Sequence, residues 1–303
     1  MHPRLWVNSV RNNAIHELAS LFSRIHQLPR LETINLTFHP GYKRAIYNVV
    51  VFHSGNRIHL QELILGSLAT SFSIRAPSKL MSLSLHNLRT SDSPVFKTFS
   101  LKTILPSLRR FQLSVLSDRA LDTFMSPVYQ WNFWSSLSSH MTPIQTQHSL
   151  TELTLHSDVC VGSTSGMSLG GLHFPRLCML SLQNLILEPS TDVEPFVLRH
   201  APTLARLELL SCNLDIGNNT LMCLSSSIAL PHDEGSGSGL GGWHRIWDLF
   251  EAELTALVTL HVACPQEPGT FPIVPGCNAA DIAALQRFQS TVAARSKEMS
   301  GES

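Results

Sequence analysis

The chain has 303 residues with 22 basic and 22 acidic side chains, so its formal charge is zero and it carries no cationic footprint for a phosphate backbone or an anionic membrane surface. Charged residues are 15% of the total, against about 25% in an ordinary soluble domain, so the polar surface must be built largely from Ser, Thr, His, Asn and Gln. No stretch approaches the roughly 18 apolar residues that span a bilayer, and the N-terminus lacks a basic segment followed by an apolar run; an intracellular protein, cytoplasmic or nuclear, without a membrane or nucleic-acid partner is expected.

Asn13 to Leu28 places Ile15, Leu18, Leu21, Phe22, Ile25 and Leu28 at three- and four-residue steps, which predicts a helix capping the chain over 1–28. From there L-x-x-L-x-L recurs, usually after a proline or a short polar approach. The copies are LETINL (31–36), LQELIL (60–65), LMSLSL (80–85), LRRFQL (108–113), LTELTL (150–155), LCMLSL (177–182), LARLEL (204–209) and LVTLHV (257–262). All anchors are apolar, and those that are not Leu are Ile34, Phe111 and Val262. Side chains on a strand alternate between two faces, so the anchors form one face and the residues between them the other. That second face is polar: Thr33, Asn35 and Thr37 in the first copy, and Ser82, Ser84 and His86 in the third, are typical of it. Only Ile64, Met179, Leu210 and Ala263 interrupt it with apolar groups.

Several copies start 27 to 29 residues apart, within the period of about 20–29 residues that belongs to leucine-rich repeats of the form L-x-x-L-x-L-x-x-N/C-x-L. LARLELLSCNL fills every slot, with Cys212 at the N/C position; at 68, 88, 116 and 185 that slot is Leu, so no asparagine ladder is expected. A strand this short cannot bury its leucine face alone, and neighbouring units must stack. The expected fold is α/β: a curved leucine-rich-repeat solenoid with short parallel strands on the concave face and helices and loops on the convex face. About eight degenerate repeats fill 29–262, with insertions near 117–147 and 213–252, and a Pro/Gly linker and C-terminal helix occupy 263–303. Helices are predicted at Asp192 to His200 and at Trp243 to Leu257, the latter with Trp243, Ile246, Trp247, Phe250, Leu254 and Leu257 along one stripe. Asn278 to Glu298, with Ile282, Leu285, Phe288 and Val292, is expected to cap the last repeat.

EPFVLRHAPTLARLELLSCNL (194–214) and WHRIWDLFEAELTALVTLHV (243–262) resemble the leucine-rich region of F-box-type proteins of mushroom-forming fungi, over roughly residues 13–262. The resemblance implies that the repeats hold a substrate for a cullin-type ubiquitin ligase. Docking on the ligase adaptor needs an F-box, and no leucine-proline-rich F-box precedes LPRLETINL, so the adaptor is a partner only if an F-box lies upstream.

Three motifs invite chemistry. Gly166-Met167-Ser168-Leu169-Gly170 spells the nucleophile elbow of a serine hydrolase, but the helix that must follow it is missing from GLHFPRLCMLSL. Gly237-Ser238-Gly239-Leu240-Gly241-Gly242 spells a dinucleotide loop without the strand that should precede it, and a surface loop is the simpler reading of 235–242. His86, His156 and His261 share the polar face, but the sequence offers no ligand set with metal spacing. Six cysteines without C-x-x-C suit reduced thiols. Trp131-Asn132-Phe133-Trp134 is either core or an exposed anchor.

The main expectation is therefore a non-enzymatic protein-binding scaffold without cofactor or metal. Its candidate contact residues are Glu62, Ser84, His86, Arg110, Gln112, Glu152, Thr154, His156, Ser181, Gln183, Arg206, Glu208, Leu210 and His261. The alternatives are a serine hydrolase built on Ser168 and a truncated or vestigial family member.

Overall fold

The computed structural model describes residues 16–38, 49–51, 57–75, 79–89, 107–116, 133–135, 149–162, 167–187, 190–214, 242–263 and 279–301. A helical segment at 16–23 and a 3-10 turn at Ile25–Gln27 come first. Then follow β1 (Thr33–Thr37), β2 (Val49–Val51), β3 (Arg57–His59), α1 (Leu60–Ile74), β4 (Ser82–Arg89), β5 (Arg110–Leu116) and β6 (Glu152–Val161). The chain continues with β7 (Met179–Leu187), α2 (Val193–Arg199), β8 (Arg206–Leu210), β9 (Asn213–Leu214), α3 (Trp243–Glu253), β10 (Thr259–Ala263) and α4 (Ala279–Ser300).

Eight strands build one parallel sheet in the order β1-β4-β5-β6-β7-β8-β10, with β9 paired to the end of β7; β2 and β3 form a separate antiparallel pair. Seven of the eight L-x-x-L-x-L copies thus lie side by side, in chain order. Their register never slips across the motif: Ile34, Leu83, Phe111, Leu153, Leu180, Leu207 and Leu260 are successive partners. Counting the first leucine of each copy as position one, the carbonyl at position two accepts two N–H groups from the next unit at every step. Glu32, Met81, Arg109, Thr151, Cys178 and Ala205 each do so, at 2.7–3.1 Å.

The anchors are the core. Leu83, Phe111, Leu153, Leu180 and Leu207 are fully buried, and position one adds Leu80, Leu108, Leu150, Leu177, Leu204 and Leu257. Each contributes about 1.5–3 kcal/mol of apolar transfer, and in parallel stacking every anchor meets its counterparts in the neighbouring units. Behind them lie Phe174, Phe196, Trp247, Phe250, Phe133 and Trp134, so the described half of the WNFW cluster is core; Trp131 and Asn132 lie outside the described residues.

LQELIL is not a strand. Residues 60–65 open α1, whose buried residues Gln61, Ile64, Leu65, Leu68, Ser71 and Phe72 follow the helical period, so the predicted anchor Leu63 is only half-buried. Glu62 therefore sits on a helix and leaves the polar strand face. The N-terminal stripe is also corrected. Ala19 and Ile25 are buried while Leu18, Leu21 and Leu28 are exposed: the helical segment turns Ala19 rather than its leucines inward, and the tighter turn after residue 23 breaks the period before Leu28; Ile15 lies outside the described residues.

The segment 213–252, expected as an insertion, contributes β9 and the start of α3, whose Trp243, Ile246, Trp247 and Phe250 are buried. The loop 235–241 lies outside the described residues. The terminal helix α4 packs on α3 and β10 through Ala284, Phe288 and Val292. Ile282 turns outward at 41% exposure and Asp281 takes its place inside.

Candidate interaction face

Strand alternation sends motif positions three, five and seven to the side of the sheet away from the anchors. Position three runs Thr33, Ser82, Arg110, Glu152, Met179, Arg206, Thr259, and position five runs Asn35, Ser84, Gln112, Thr154, Ser181, Glu208, His261. His86, Ser114, His156, Gln183, Leu210 and Ala263 occupy position seven. All candidate contact residues other than Glu62 are therefore on one sheet.

They are knitted together. Arg110 Nε donates to Glu152 Oε1 across adjacent strands at 2.8 Å, and Ser84 Oγ donates to Gln112 Oε1 at 2.9 Å. Arg206 places Nε and Nη2 on one oxygen of Glu208, at 3.0 and 2.5 Å. His156 Nε2 lies 2.9 Å from Ser181 Oγ, and Ser181 also hydrogen-bonds Glu208. A hydroxyl has one proton to give. With that proton on the carboxylate, the Ser181 oxygen accepts from His156 in the tautomer that carries its proton on Nε2.

The electrostatics follow from burial. Desolvation pushes His156 below the ordinary imidazole value, against the attraction of Glu208 and with the repulsion of His86. Burial alone would raise the Glu208 carboxyl, but hydrogen bonds from Ser181 and Arg206, with the Arg206 and His261 charges, hold it below the usual carboxylate range. Ser84 and Ser181 are buried, so they brace the network and offer a partner no surface; Arg110, Arg206 and His261 are exposed. Among the described residues no group of three His, Cys, Asp or Glu side chains is placed to hold a metal ion.

One layer was missed in the sequence. Asn87 and Asn184 stand at position eight in the left-handed region, at φ 60° and 56°. Their side-chain N–H groups donate to the position-eight carbonyl of the preceding unit, Asn87 to Phe38 at 2.9 Å and Asn184 to Ser157 at 2.6 Å. They tie units together one residue ahead of the expected slot. The signal was present: LSLHNL (83–88) and LSLQNL (180–185) differ at one residue. Cys212, in the slot itself, is buried with its thiol toward the Leu182 carbonyl at 3.6 Å.

Ser168 lies elsewhere. Its hydroxyl donates to Asp192 Oδ2 at 3.0 Å and accepts from Gly170 N–H at 3.2 Å. Asp192 holds a φ of 53° to reach it, and a Cβ on Gly170 would meet that carboxylate at 2.3 Å. The contact staples the approach loop of β7 to the start of α2. Buried His200 holds the other end of that helix, accepting from Phe174 N–H through Nε2 at 2.9 Å while Nδ1 faces the Phe196 carbonyl at 2.7 Å. Both of its nitrogens are occupied, and burial lowers its pKa to about 4.

The chain matches no family model, and no curated protein or solved structure at a significant level. No helix among the described residues is long and apolar enough to cross a membrane.

Proposed function

We propose that the protein is a leucine-rich-repeat solenoid whose polar strand face holds a protein partner. The observation that carries this is the unslipped ladder of seven strands in chain order. A doubly wound nucleotide-binding sheet reverses its strand order at a switch point and binds at the strands' C-terminal ends; this order has no reversal. Stacked strands advance by about 4.8 Å per unit, whereas a helix is about 10 Å across. A stack with helices on the anchor side must therefore open on that side and close on the other, which makes the polar face concave. On such a face rigid anchors fix the backbone while positions three, five and seven are free to differ from unit to unit.

The cellular use we propose, from the resemblance to F-box-type proteins, is substrate recognition for a cullin-type ubiquitin ligase. The test of the binding face is site-specific photo-crosslinking in a native lysate. A benzophenone side chain at Thr154 or Gln183 should yield one discrete adduct, lost on Leu210→Asp; the same group at Lys297 on α4 should not. Equal labelling from both sides, or no adduct from the sheet, would end the reading. For a ligase substrate, the adduct protein should persist longer in cells depleted of the chain.

A further inference from the structure

We propose that the partner presents an extended acidic segment, laid across the strands over the position-three row. This rests on the binding-face reading and specifies the chemistry of what is bound. At positions three, five and seven the fixed charges are two arginines and two glutamates, in the pairs Arg110–Glu152 and Arg206–Glu208. The pairs are neutral in sum but layered in depth. The arginine side chains are 59% and 51% exposed, the glutamates under them 26% and 14%. A partner approaching from solvent meets guanidinium first.

The guanidiniums also have capacity to spare. Among the described residues Arg110 bonds its glutamate through Nε alone and Arg206 through Nε and Nη2, which leaves Nη groups on both for a second carboxylate. Glu208 is a weak competitor for an incoming cation, because its side chain is only 14% exposed and Arg206 is already paired with it. His86, His156 and His261 add no negative charge at any pH.

The spacing gives the segment a pattern. Arg110 and Arg206 are at equivalent positions of β5 and β8, three strand steps apart, or about 14 Å at the usual strand spacing. An extended peptide covers that distance in about four residues at its usual rise. Met179, at the same position of β7, lies one step short of Arg206 and offers a pliable apolar contact. The matching segment has two acidic residues four apart, which alternation places on one face of an extended chain.

The test is fluorescence anisotropy with labelled Ser/Gly peptides bearing that pattern, against an isomer with adjacent glutamates and a version with lysines in place of glutamates. The patterned probe should bind roughly tenfold tighter than either. Arg110→Gln with Arg206→Gln should remove that preference in a chain that circular dichroism shows still folded, and Arg110→Glu with Arg206→Glu should turn it toward the lysine probe. Equal binding of the isomers, or a double glutamine variant that keeps the preference, overturns the proposal. Binding lost on Thr154→Trp but kept in the double glutamine variant overturns it too, while leaving the face an interface; loss of the Thr154 crosslink is what would remove the broader reading.

Discussion

Leu60–Leu65 and Leu204–Leu209 spell the same motif, and one is the start of a helix while the other is a strand in the stack. Their anchors are equally leucine-rich. The difference lies at the two ends. Leu204 follows Pro202 and a turn, as Leu31 follows Pro29, Leu108 follows Pro106 and Leu177 follows Pro175. Proline fixes its own backbone and pushes its predecessor to extended geometry. Leu60 follows β3 directly, with nothing to break the chain before it. At the exit, Ser211 swings to φ 54° and ends β8, whereas after Leu65 the apolar residues continue at Leu68 and Phe72 on the helical period. Anchors are thus compatible with either structure, and the entry turn and the exit decide which forms.

The sharpest break of this comparison exchanges anchor for neighbour. Leu207→Ala, in the stack, should cost about 2–5 kcal/mol, the range for emptying a close-packed core site. In α1 the order inverts: Ile64→Ala, at a position the strand pattern would leave in solvent, should cost more than Leu63→Ala, because Ile64 is buried and Leu63 half-exposed. Urea unfolding of the three variants reads this directly. A larger loss at Leu63 than at Ile64 would return residues 60–65 to the stack.

The helix behind the Leu204 unit can be broken by acid. His200 is neutral in the folded state down to about pH 4, while in the unfolded chain it titrates near 6.5. Between those values the unfolded state binds the extra proton, so stability falls with falling pH across that window and the loss is complete below it. The full effect is about 3 kcal/mol, set by the gap between those two pKa values. Unfolding midpoints measured against pH should slope over pH 6.5 to 4, and His200→Gln should flatten that slope while lowering the plateau. A wild-type profile flat through this window would contradict the buried neutral imidazole.

The strand ladder was legible because alternation is local: two faces can be read from residues that touch in sequence. The helices α2 and α3 were legible for the same reason. What the sequence did not disclose depends on partners far along the chain. Glu62 was misplaced because Gln61 and its neighbours pack as a helix, with Gln61 bonded to the backbone of Arg89, 28 residues on. The N-terminal stripe failed within the helix itself, where Ala19 rather than Leu18 or Leu21 is buried, and again after Arg24, where the change of helix type leaves Leu28 outside. On the interaction face, residue identities and side were readable; that Ser84 and Ser181 brace rather than contact, and that Arg110 pairs with Glu152, required neighbouring strands.

Position eight is a smaller lever on the same stack. Asn184→Ala removes the bond to Ser157 and places Ala in the left-handed region, and should cost about 1–3 kcal/mol. Asn184→Gly relieves the backbone and should recover part of it, which separates the two terms. If Ala and Gly behave alike, the side-chain bond alone carries the tie. The α1 segment has no counterpart to this position, so the equivalent change there should be neutral.

The smallest expected effect lies where the stack ends. The first turn of α3 begins at Gly242 without a capping side chain of its own, and Asp281 of α4 supplies one, accepting His244 N–H at 2.6 Å. At the other end Arg295 donates to the carbonyls of Leu254 and Glu251, at 2.8 and 3.1 Å. One helix therefore places an acid at the N-terminus and a base at the C-terminus of another, which is the arrangement the backbone dipole favours. Asp281→Ala should cost about 1 kcal/mol, the usual worth of a cap, and Asp281→Asn less. A Cβ on Gly242 would stand 2.9 Å from the same carboxylate oxygen, so Gly242→Ala should destabilise the native chain but do little once Asp281 is Ala. That non-additivity, read from a double-mutant cycle, is the signature of a cap supplied in trans; strictly additive losses would mean that α4 holds α3 by its apolar face alone.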